Sequence, residues 1–421
     1  MEDIYEYPLK QHLGEQVVPV VVDGDSVNRG QLVAFQRENT LGANLYSSVK
    51  GVVTKVTEQS IFIKAVGEQT ADYEPLKGSE PLELIREAGL VGLGGAGFPT
   101  YAKLSKPFEH GGTVIINAAE CEPILSHNIE RIRQKPEQLL RGLRIAMDVV
   151  HATKGVIAIK EKHTEAVKAL REANKDPDIS LTLLEDMYPM GEERAIIREV
   201  LGKLLKVTDL PLAADAIVTN AETACRIQEA VDEHKPFIDK DMTVAGKIAG
   251  NEQDKLIQVF LDVPLGTMVS AMFEKAGGLG DSYGELIMGG PFTGKRTSPD
   301  APVIKTTGGL IATECFPKGP EKIGVLVCAC SACQERMEQI AASLGSEVVG
   351  VEKCKQAKEV KGSLKCENPG RCPGQVHGIK EGRRTGGADR QLYRLLQHGN
   401  VVCAAAWASG VSFNRRSPSG S

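Results

Sequence analysis

Residues 113–123 read TVIINAAECEP, an apolar run that ends in an asparagine and is followed by two glutamates. Such a run, bounded by polar residues, is typical of a strand buried inside a sheet. The pattern recurs downstream, and helix-like segments separate its copies. The further strand candidates are 155–160, 179–185 and 215–220, and the helix candidates are 136–151, 164–174, 192–201 and 222–234. This alternation predicts an α/β fold with a mostly parallel, doubly wound sheet, which binds ligands at the carboxyl ends of its strands.

The pattern changes several times along the 421 residues, which is too long a chain for one ordinary core. A β-rich module with glycine turns comes first, and the α/β domain follows it. A smaller, strand-rich domain and a βαβ domain that carries cysteines come next, before a basic tail that lacks periodicity and receives no function. We place the corresponding boundaries at 1–74, 75–240, 241–300, 301–379 and 380–421.

Composition excludes several functional classes. Hydrophobic residues make up 42% and charged residues 25% of the chain, as in globular proteins. A net charge of -5 supplies no basic field for a nucleic-acid backbone, so nucleic acid is not expected as a partner. No apolar stretch approaches the length of a spanning helix, and MEDIYEYPLK lacks the character of a leader peptide. We therefore expect a cytoplasmic protein without a transmembrane segment.

The loop GLGGAGFPT at residues 92–100 contains a formal G-x-G-x-x-G. The dinucleotide-binding form of this motif follows a strand, whereas here the preceding segment, 81–88, is helix-like. Bare glycine backbone still lets a ligand approach and offers N–H groups to a phosphate, and Lys103 follows as a cation. The alternative is a flexible surface loop.

Polar side chains follow two of the predicted strands. Asn117, Glu120 and Glu122 follow the first, and Asn220 and Thr223 follow the last. Amides can donate to and accept from a heterocycle such as a flavin, and carboxylates accept from ribose hydroxyls. The turn Gly191-Glu192-Glu193 adds two acids, for which a preference for acids at the start of a helix is the alternative explanation.

Four segments occur in one order: GLGGAGFPTYAKL, INAAECEP, YPMGEERAI and TNAET. Together they resemble the flavin and nicotinamide site of the 51-kDa subunit of respiratory complex I and of the related RnfC subunit of the Rnf complex. Residues 1–74 resemble the barrel-sandwich hybrid of biotinyl and lipoyl carriers, without a lysine at the hairpin tip. Residues 241–296 resemble the soluble-ligand-binding β-grasp (SLBB) domain that follows in those proteins.

The resemblance implies FMN and NADH as cofactors and a Rossmann-like domain that holds them. It assigns the FMN phosphate and ribityl chain to Gly92, Gly94 and Lys103, the flavin to Asn117, Glu120, Asn220 and Thr223, and NADH to Phe98, Glu122 and Glu193. Gly95, Gly97, Gly191 and Glu192 are also expected to bind cofactor. Ala119 departs from the complex I motif, which has an acid at that position.

Most of the ten cysteines lie near the carboxyl end, where a reducing compartment favours metal ligands or exchanging thiols over disulfides. Cys330 and Cys333 stand where a strand gives way to a helix, and the helix N-terminus favours thiolate. Three interpretations remain: a redox dithiol at Cys330 and Cys333, a zinc or iron–sulfur site, and inert packing. The metal site would draw on Cys328, Cys330, Cys333, Cys366 and Cys372.

The two C-x-x-C-x-x-C-x-x-x-C-P runs expected of an Rnf protein of this kind do not occur in these 421 residues. The segments VCAC and VEKCK…CENPGRCPGQ instead resemble the proline reductase-associated electron-transfer protein. This resemblance implies electron transfer from NADH through FMN and a dithiol to a reductase partner such as D-proline reductase. The alternatives are an Rnf-type NADH-input subunit of a membrane complex and a non-catalytic scaffold that has lost flavin binding.

Overall fold

The computed structural model describes residues 3–249, 257–330, 333–360, 362–369 and 401–402. The strands are β1 (Ile4–Pro8), β2 (Val18–Pro19), β3 (Ser26–Val27), β4 (Leu32–Phe35), β5 (Leu45–Tyr46), β6 (Gly51–Val56), β7 (Ser60–Ala65), β8 (Thr113–Ala118), β9 (Lys154–Lys160), β10 (Ile179–Leu184), β11 (Ala216–Asn220), β12 (Asp239–Gly246), β13 (Ile257–Pro264), β14 (Tyr283–Met288), β15 (Lys295–Thr297), β16 (Gly309–Glu314), β17 (Lys322–Val327), β18 (Glu347–Lys353), β19 (Ala357–Val360), β20 (Ser363–Cys366) and β21 (Val401–Val402). The helices are α1 (Pro81–Glu87), α2 (Thr100–Leu104), α3 (His127–Gln134), α4 (Pro136–Val149), α5 (Thr164–Ala173), α6 (Glu193–Leu201), α7 (Ala221–Asp232), α8 (Val269–Ala276) and α9 (Gln334–Ser343), and a 3-10 turn covers Pro211–Ala214.

The amino-terminal module is a pair of small antiparallel sheets, with strand orders β1-β7-β6-β3 and β2-β4-β5. Alternating apolar residues point into its core, among them Val33, Ile61 and Ile63, all of which are fully buried. The period of two in the sequence is therefore the period with which these strands bury one face.

The central domain is an entirely parallel sheet in the order β10-β9-β8-β11. Adjacent residues of β8 point to opposite faces. Val114 and Ile116 pack with α4 and α7, whereas Ile115 packs with α6. Apolar side chains on both faces explain the continuous hydrophobic run of the strand, and they confirm helices on both sides of this sheet.

Local sequence explains where the helices of this domain begin. Pro136 occupies the first turn of α4, where its missing N–H costs no hydrogen bond. The side chains of Glu192 and Asn220 cap α6 and α7 by accepting backbone N–H groups. The predicted strands and helices of residues 113–234 agree with the structure to within a few residues, whereas the short helices α2 and α3 were not predicted.

The remaining described residues form two further units. The five-stranded mixed sheet β13-β12-β16-β14-β15 packs with α8 and continues to Glu314, past the boundary predicted at residue 300. A parallel sheet of order β18-β17-β21, together with α9 and the hairpin β19–β20, carries the cysteines. Apart from Val401–Val402, the predicted irregular tail lies outside the described residues.

Candidate functional site

Two asparagines stand side by side at the carboxyl edge of the parallel sheet. Asn117 of β8 and Asn220 of β11 are register partners, because the two strands pair in parallel. The Asn117 amide donates to the Gly191 carbonyl at 2.8 Å, while the Asn220 carboxamide oxygen accepts the N–H of Glu222 at 2.9 Å. The predicted meeting of these strand ends is therefore present, and both side chains are held in fixed orientations.

The glycine loop is tied to the same edge by a buried threonine. The Leu93 N–H donates to Thr223 Oγ1 at 3.1 Å, and that hydroxyl reaches the Val91 carbonyl at 3.4 Å. The loop closes on itself through the Gly92 N–H and the Phe98 carbonyl, which are 2.8 Å apart. These bonds order the loop, so the alternative of an unstructured surface loop does not describe it.

The loop glycines differ in what surrounds them. A Cβ on Gly94 would lie 2.7 Å from Asn220 Nδ2, so only glycine allows this close approach. A Cβ on Gly95 would meet nothing within 4 Å, which leaves open space over the exposed part of the loop. Gly97 adopts a φ of 71°, a conformation that favours glycine.

Lys103 supplies the cation of the site. It projects from α2, and its Nζ lies 2.8 Å from the Val218 carbonyl of β11 and 3.3 Å from Glu193 Oε1. Both side chains of this ion pair are about one-third exposed, at 33% and 38%. An incoming phosphate can therefore reach the ammonium group and compete with Glu193 for it.

The turn before α6 packs closely on the first strand end. A Cβ on Gly191 would stand 2.6 Å from Cys121 Cβ, so glycine is required there as well. Burial raises the pKa of the Cys121 thiol to about 11 and keeps the thiol neutral. Glu192 accepts from the backbone N–H of Arg194 and Ala195 and from the Arg194 guanidinium, which supports its interpretation as a helix cap.

The two glutamates after β8 turn away from each other. Glu120 accepts the Asn128 N–H at 2.9 Å near the start of α3. Glu122 accepts the Phe292 N–H at 2.9 Å and the Thr293 hydroxyl at 2.5 Å, and both partners belong to the loop before β15. The strand tip is thus joined to the five-stranded sheet. Phe98, whose side chain is 38% exposed, faces solvent beside the loop.

Four cysteines lie at one end of the C-terminal unit. Cys328 Sγ and Cys330 Sγ are 3.1 Å apart, and the Cys354 N–H bonds to the Val327 carbonyl at 2.8 Å. Hydrogen bonds from the Cys330 thiol, from backbone N–H groups and from the Cys354 thiol lower the pKa of Cys328 to about 6, against the effect of burial. Cys366 is buried, and its thiol contacts Gln356 at 3.5 Å.

Cys333 is exposed at the N-cap of α9, and Cys372 lies outside the described residues. Within the described ranges, no three or more His, Cys, Asp or Glu side chains form a group that could hold a metal ion. Zinc or an iron–sulfur cluster at these cysteines remains a prediction, as does the dithiol at Cys330 and Cys333.

Sequence reasoning missed a buried charge network behind the site. Asp241 is fully buried and accepts from Arg131 at 2.7 Å and from Arg226 at 2.9 Å. Arg226 also pairs with Glu229, and Glu222 pairs with Lys240. The network joins α3 and α7 to β12. The charged run DKD (239–241) inside an otherwise strand-like segment is the only sequence signal that could have revealed it.

Thr223→Val is expected to lower the free energy of unfolding by about 1–3 kcal/mol, because the buried Leu93 N–H loses its acceptor. Chemical denaturation monitored by circular dichroism measures this change. Thr223→Ser keeps the hydroxyl and serves as the matched control. Equal stability of the valine and serine variants would contradict the role of this hydroxyl in ordering the glycine loop.

Family models match two parts of the chain. Residues 85–229 match the Nuo51 FMN-binding domain, and residues 1–70 match the RnfC barrel sandwich hybrid domain. The first range contains the glycine loop, both asparagines and Lys103. The resemblances to the 51-kDa protein of complex I and to RnfC are therefore confirmed, whereas membership of the proline reductase-associated group stays a prediction.

A cobalamin reductase of Citrobacter freundii is 37% identical over 230 residues, which are 54% of this chain and 49% of that protein. A solved chain of an NAD+-reducing [NiFe]-hydrogenase in the H2-reduced state is 21% identical, with a TM-score of 0.48, and the match covers 56% of this chain and 47% of that chain. Among the described residues, none of the helices combines the length and the apolar character that crossing a membrane requires.

Two longer matches are to components of membrane-linked complexes that carry the letter C. The C component of the proton-translocating ferredoxin:NAD(+) oxidoreductase complex of Clostridium ljungdahlii is 29% identical over 323 residues, 72% of this chain and 69% of the relative. The C component of the Na(+)-translocating ferredoxin:NAD(+) oxidoreductase complex of Acetobacterium woodii is 30% identical over 336 residues, 75% of this chain and 74% of the relative. Because this last similarity spans most of both sequences, the chain belongs to the RnfC family of electron-transfer oxidoreductases.

Proposed function

We propose that the chain is an NADH-dependent flavin oxidoreductase that binds FMN at the glycine loop and passes reducing equivalents to a thiol or selenol reductase partner. The observation that carries the proposal is the convergence of the loop, Lys103, Asn117 and Asn220 at one sheet edge. These residues fall within the range that matches an FMN-binding domain. The donors fit FMN because a phosphate needs a cation and backbone N–H groups, and a flavin needs amides at its edge.

Each residue of the site has a defined task in this proposal. Lys103 and the backbone at Gly92 and Gly94 bind the phosphate, and the fixed amides of Asn117 and Asn220 orient the ring system. When bound, the flavin accepts a hydride from nicotinamide and can release its electrons one or two at a time. The exposed Phe98 ring covers the nicotinamide and excludes water from it, and Glu193 and Glu122 accept ribose hydroxyls.

The partner is inferred from the position of the thiols. Tyr188, three residues before Gly191, donates its hydroxyl to the Cys330 carbonyl at 2.6 Å. Arg194 and Arg198 of α6 contact the Cys366 carbonyl at 2.5 Å and the Pro369 carbonyl at 2.8 Å. The cysteine unit thus rests directly on the segment that lines the flavin site, which favours a thiol route to an acceptor such as D-proline reductase.

A second candidate function is NADH input to an Rnf-type membrane complex. The similarity to the Acetobacterium woodii protein over 74% of its length favours it. The absence of the two cluster runs from this sequence favours the thiol route instead, because these clusters would relay single electrons.

Anaerobic reduction by NADH tests the proposal. We expect NADH to bleach the flavin absorbance of the FMN-loaded chain, and we expect D-proline reductase with D-proline to restore it. Restoration by ferredoxin and not by D-proline reductase would support the second candidate. An FMN-loaded chain that NADH does not bleach would overturn both.

A further inference from the structure

The cysteine pair that geometry brings together is not the one that the sequence suggested. Cys328 follows the last residue of β17, and the chain turns through Ala329 and Cys330. This turn places the two sulfur atoms 3.1 Å apart, closer than the usual contact between two separate sulfur atoms. Only a small movement separates that distance from a disulfide bond of about 2.05 Å.

We propose that Cys328 and Cys330 form the reversible dithiol–disulfide pair of this protein. The inference rests on the proposed function for its biological acceptor, but the redox chemistry of the pair can be measured without flavin. It replaces the Cys330–Cys333 pair that the sequence predicted.

Accessibility distinguishes this pair from the neighbouring cysteines. Cys354 and Cys366 are 9% and 5% exposed, so a partner protein has little access to either thiol. Cys328 and Cys330 are half-buried, which leaves room for attack by or on an external sulfur. Cys333 is exposed at the start of α9, outside the turn that joins the other two.

Packing fixes the turn against the nucleotide domain. The Tyr188 hydroxyl donates to the Cys330 carbonyl, and the Tyr188 ring meets the Phe292 ring edge-on with centroids 4.4 Å apart. Phe292 in turn donates its N–H to Glu122, one of the residues assigned to NADH. The thiol pair is therefore linked through two aromatic side chains to both the flavin segment and a strand tip, whereas no contact of this kind from a described residue holds Cys333.

The redox step balances with a disulfide as the oxidant. One thiolate attacks a sulfur of the external disulfide and forms a mixed disulfide, and the first external thiol leaves. The second cysteine then attacks its neighbour, forms the Cys328–Cys330 bond and releases the second external thiol. The pair loses two electrons and two protons, and the external disulfide gains both. A two-electron donor with two protons restores the thiols.

Peptide mapping of the chain without flavin tests this assignment. The protein is equilibrated with mixtures of reduced and oxidised glutathione, remaining thiols are blocked by alkylation, and the peptides are analysed by mass spectrometry. We expect one two-electron transition that yields a peptide with Cys328 and Cys330 joined and two hydrogens lost. Disulfides that join Cys330 to Cys333, or alkylation of Cys328 and Cys330 under all conditions, would overturn the proposal.

Variants separate the pair from its neighbours. Cys328→Ser and Cys330→Ser should abolish the transition, whereas Cys333→Ser should leave its midpoint unchanged. Loss of the transition in Cys333→Ser would contradict the assignment. Peptide mapping of the unaltered chain keeps the test valid if a serine variant fails to fold. Because no flavin is present, failure here leaves NADH reduction of the flavin, the test of the proposed function, independent.

Discussion

Lys103→Gln is expected to weaken FMN binding by about 10- to 150-fold, because a hydrogen bond from a charged group contributes about 1.5–3 kcal/mol. The ammonium group is about one-third exposed and lies beside the glycine loop, where a phosphate can replace Glu193 as its partner. Glutamine keeps a donor for the Val218 carbonyl, so the fold should be preserved. Quenching of flavin fluorescence during titration with apoprotein measures the affinity.

Riboflavin supplies the control for this prediction, since it has the ring and the ribityl chain of FMN but no phosphate. Its affinity should be the same for Lys103→Gln and the unaltered protein. Lys162→Gln is the matched variant, because Lys162 is an exposed lysine that pairs with Asp186 at 2.8 Å outside the site. If riboflavin and FMN lose affinity equally, Lys103 does not bind the phosphate.

Asp241→Asn should lower the free energy of unfolding by about 3–5 kcal/mol, because it leaves the buried cations Arg131 and Arg226 without their shared carboxylate. Asp241 is fully buried, and the two arginines are 1% and 2% exposed. The network holds α7, whose first turn contains Thr223 and follows Asn220, so we also expect weaker FMN binding. Urea denaturation measures the stability loss.

Asp232→Asn is the matched control for this substitution. Asp232 pairs with Arg141 at 2.8 Å, but both side chains are partly exposed, and a surface pair contributes about 0–1 kcal/mol. A loss of similar size in both variants would contradict the view that burial makes the Asp241 network important.

Acid should reveal the same network. Burial alone would raise the pKa of Asp241, but Arg226 and Arg131 hold it well below its ordinary value, and the same arginines lower the pKa of Asp262 to about 2. A carboxylate with a depressed pKa contributes its full stability above an unfolded pKa of about 4 and loses it as the pH falls toward the folded pKa. Between these limits, unaltered protein should therefore lose more stability than Asp241→Asn.

The parallel sheet could be predicted from sequence because its strands are apolar on both faces and its helices have caps. β8 and β9 begin within a residue of their predicted positions, since Asn117 and Gly155 mark changes in hydrophobicity. Helix α3 was missed because buried His127, Asn128 and Arg131 give it no apolar stripe. Tertiary ion pairs and hydrogen bonds, rather than local pattern, stabilise it.

The site shows the same division. The adjacency of Asn117 and Asn220 could be predicted, since carboxyl ends of parallel strands meet at one edge. The contact of Glu122 with Phe292 and Thr293 could not, because it joins units 170 residues apart in sequence. Likewise, no spacing rule indicates that Cys328 rather than Cys333 approaches Cys330, since that depends on how the chain turns at Ala329.

Calorimetric titration of the purified apoprotein with FMN tests the central claim most directly, because every step of the proposed electron route begins at that cofactor. The account predicts saturable binding of one FMN per chain, which Gly94→Val abolishes because its side chain would displace Asn220. Absence of saturable binding by a folded, unaltered chain would contradict it.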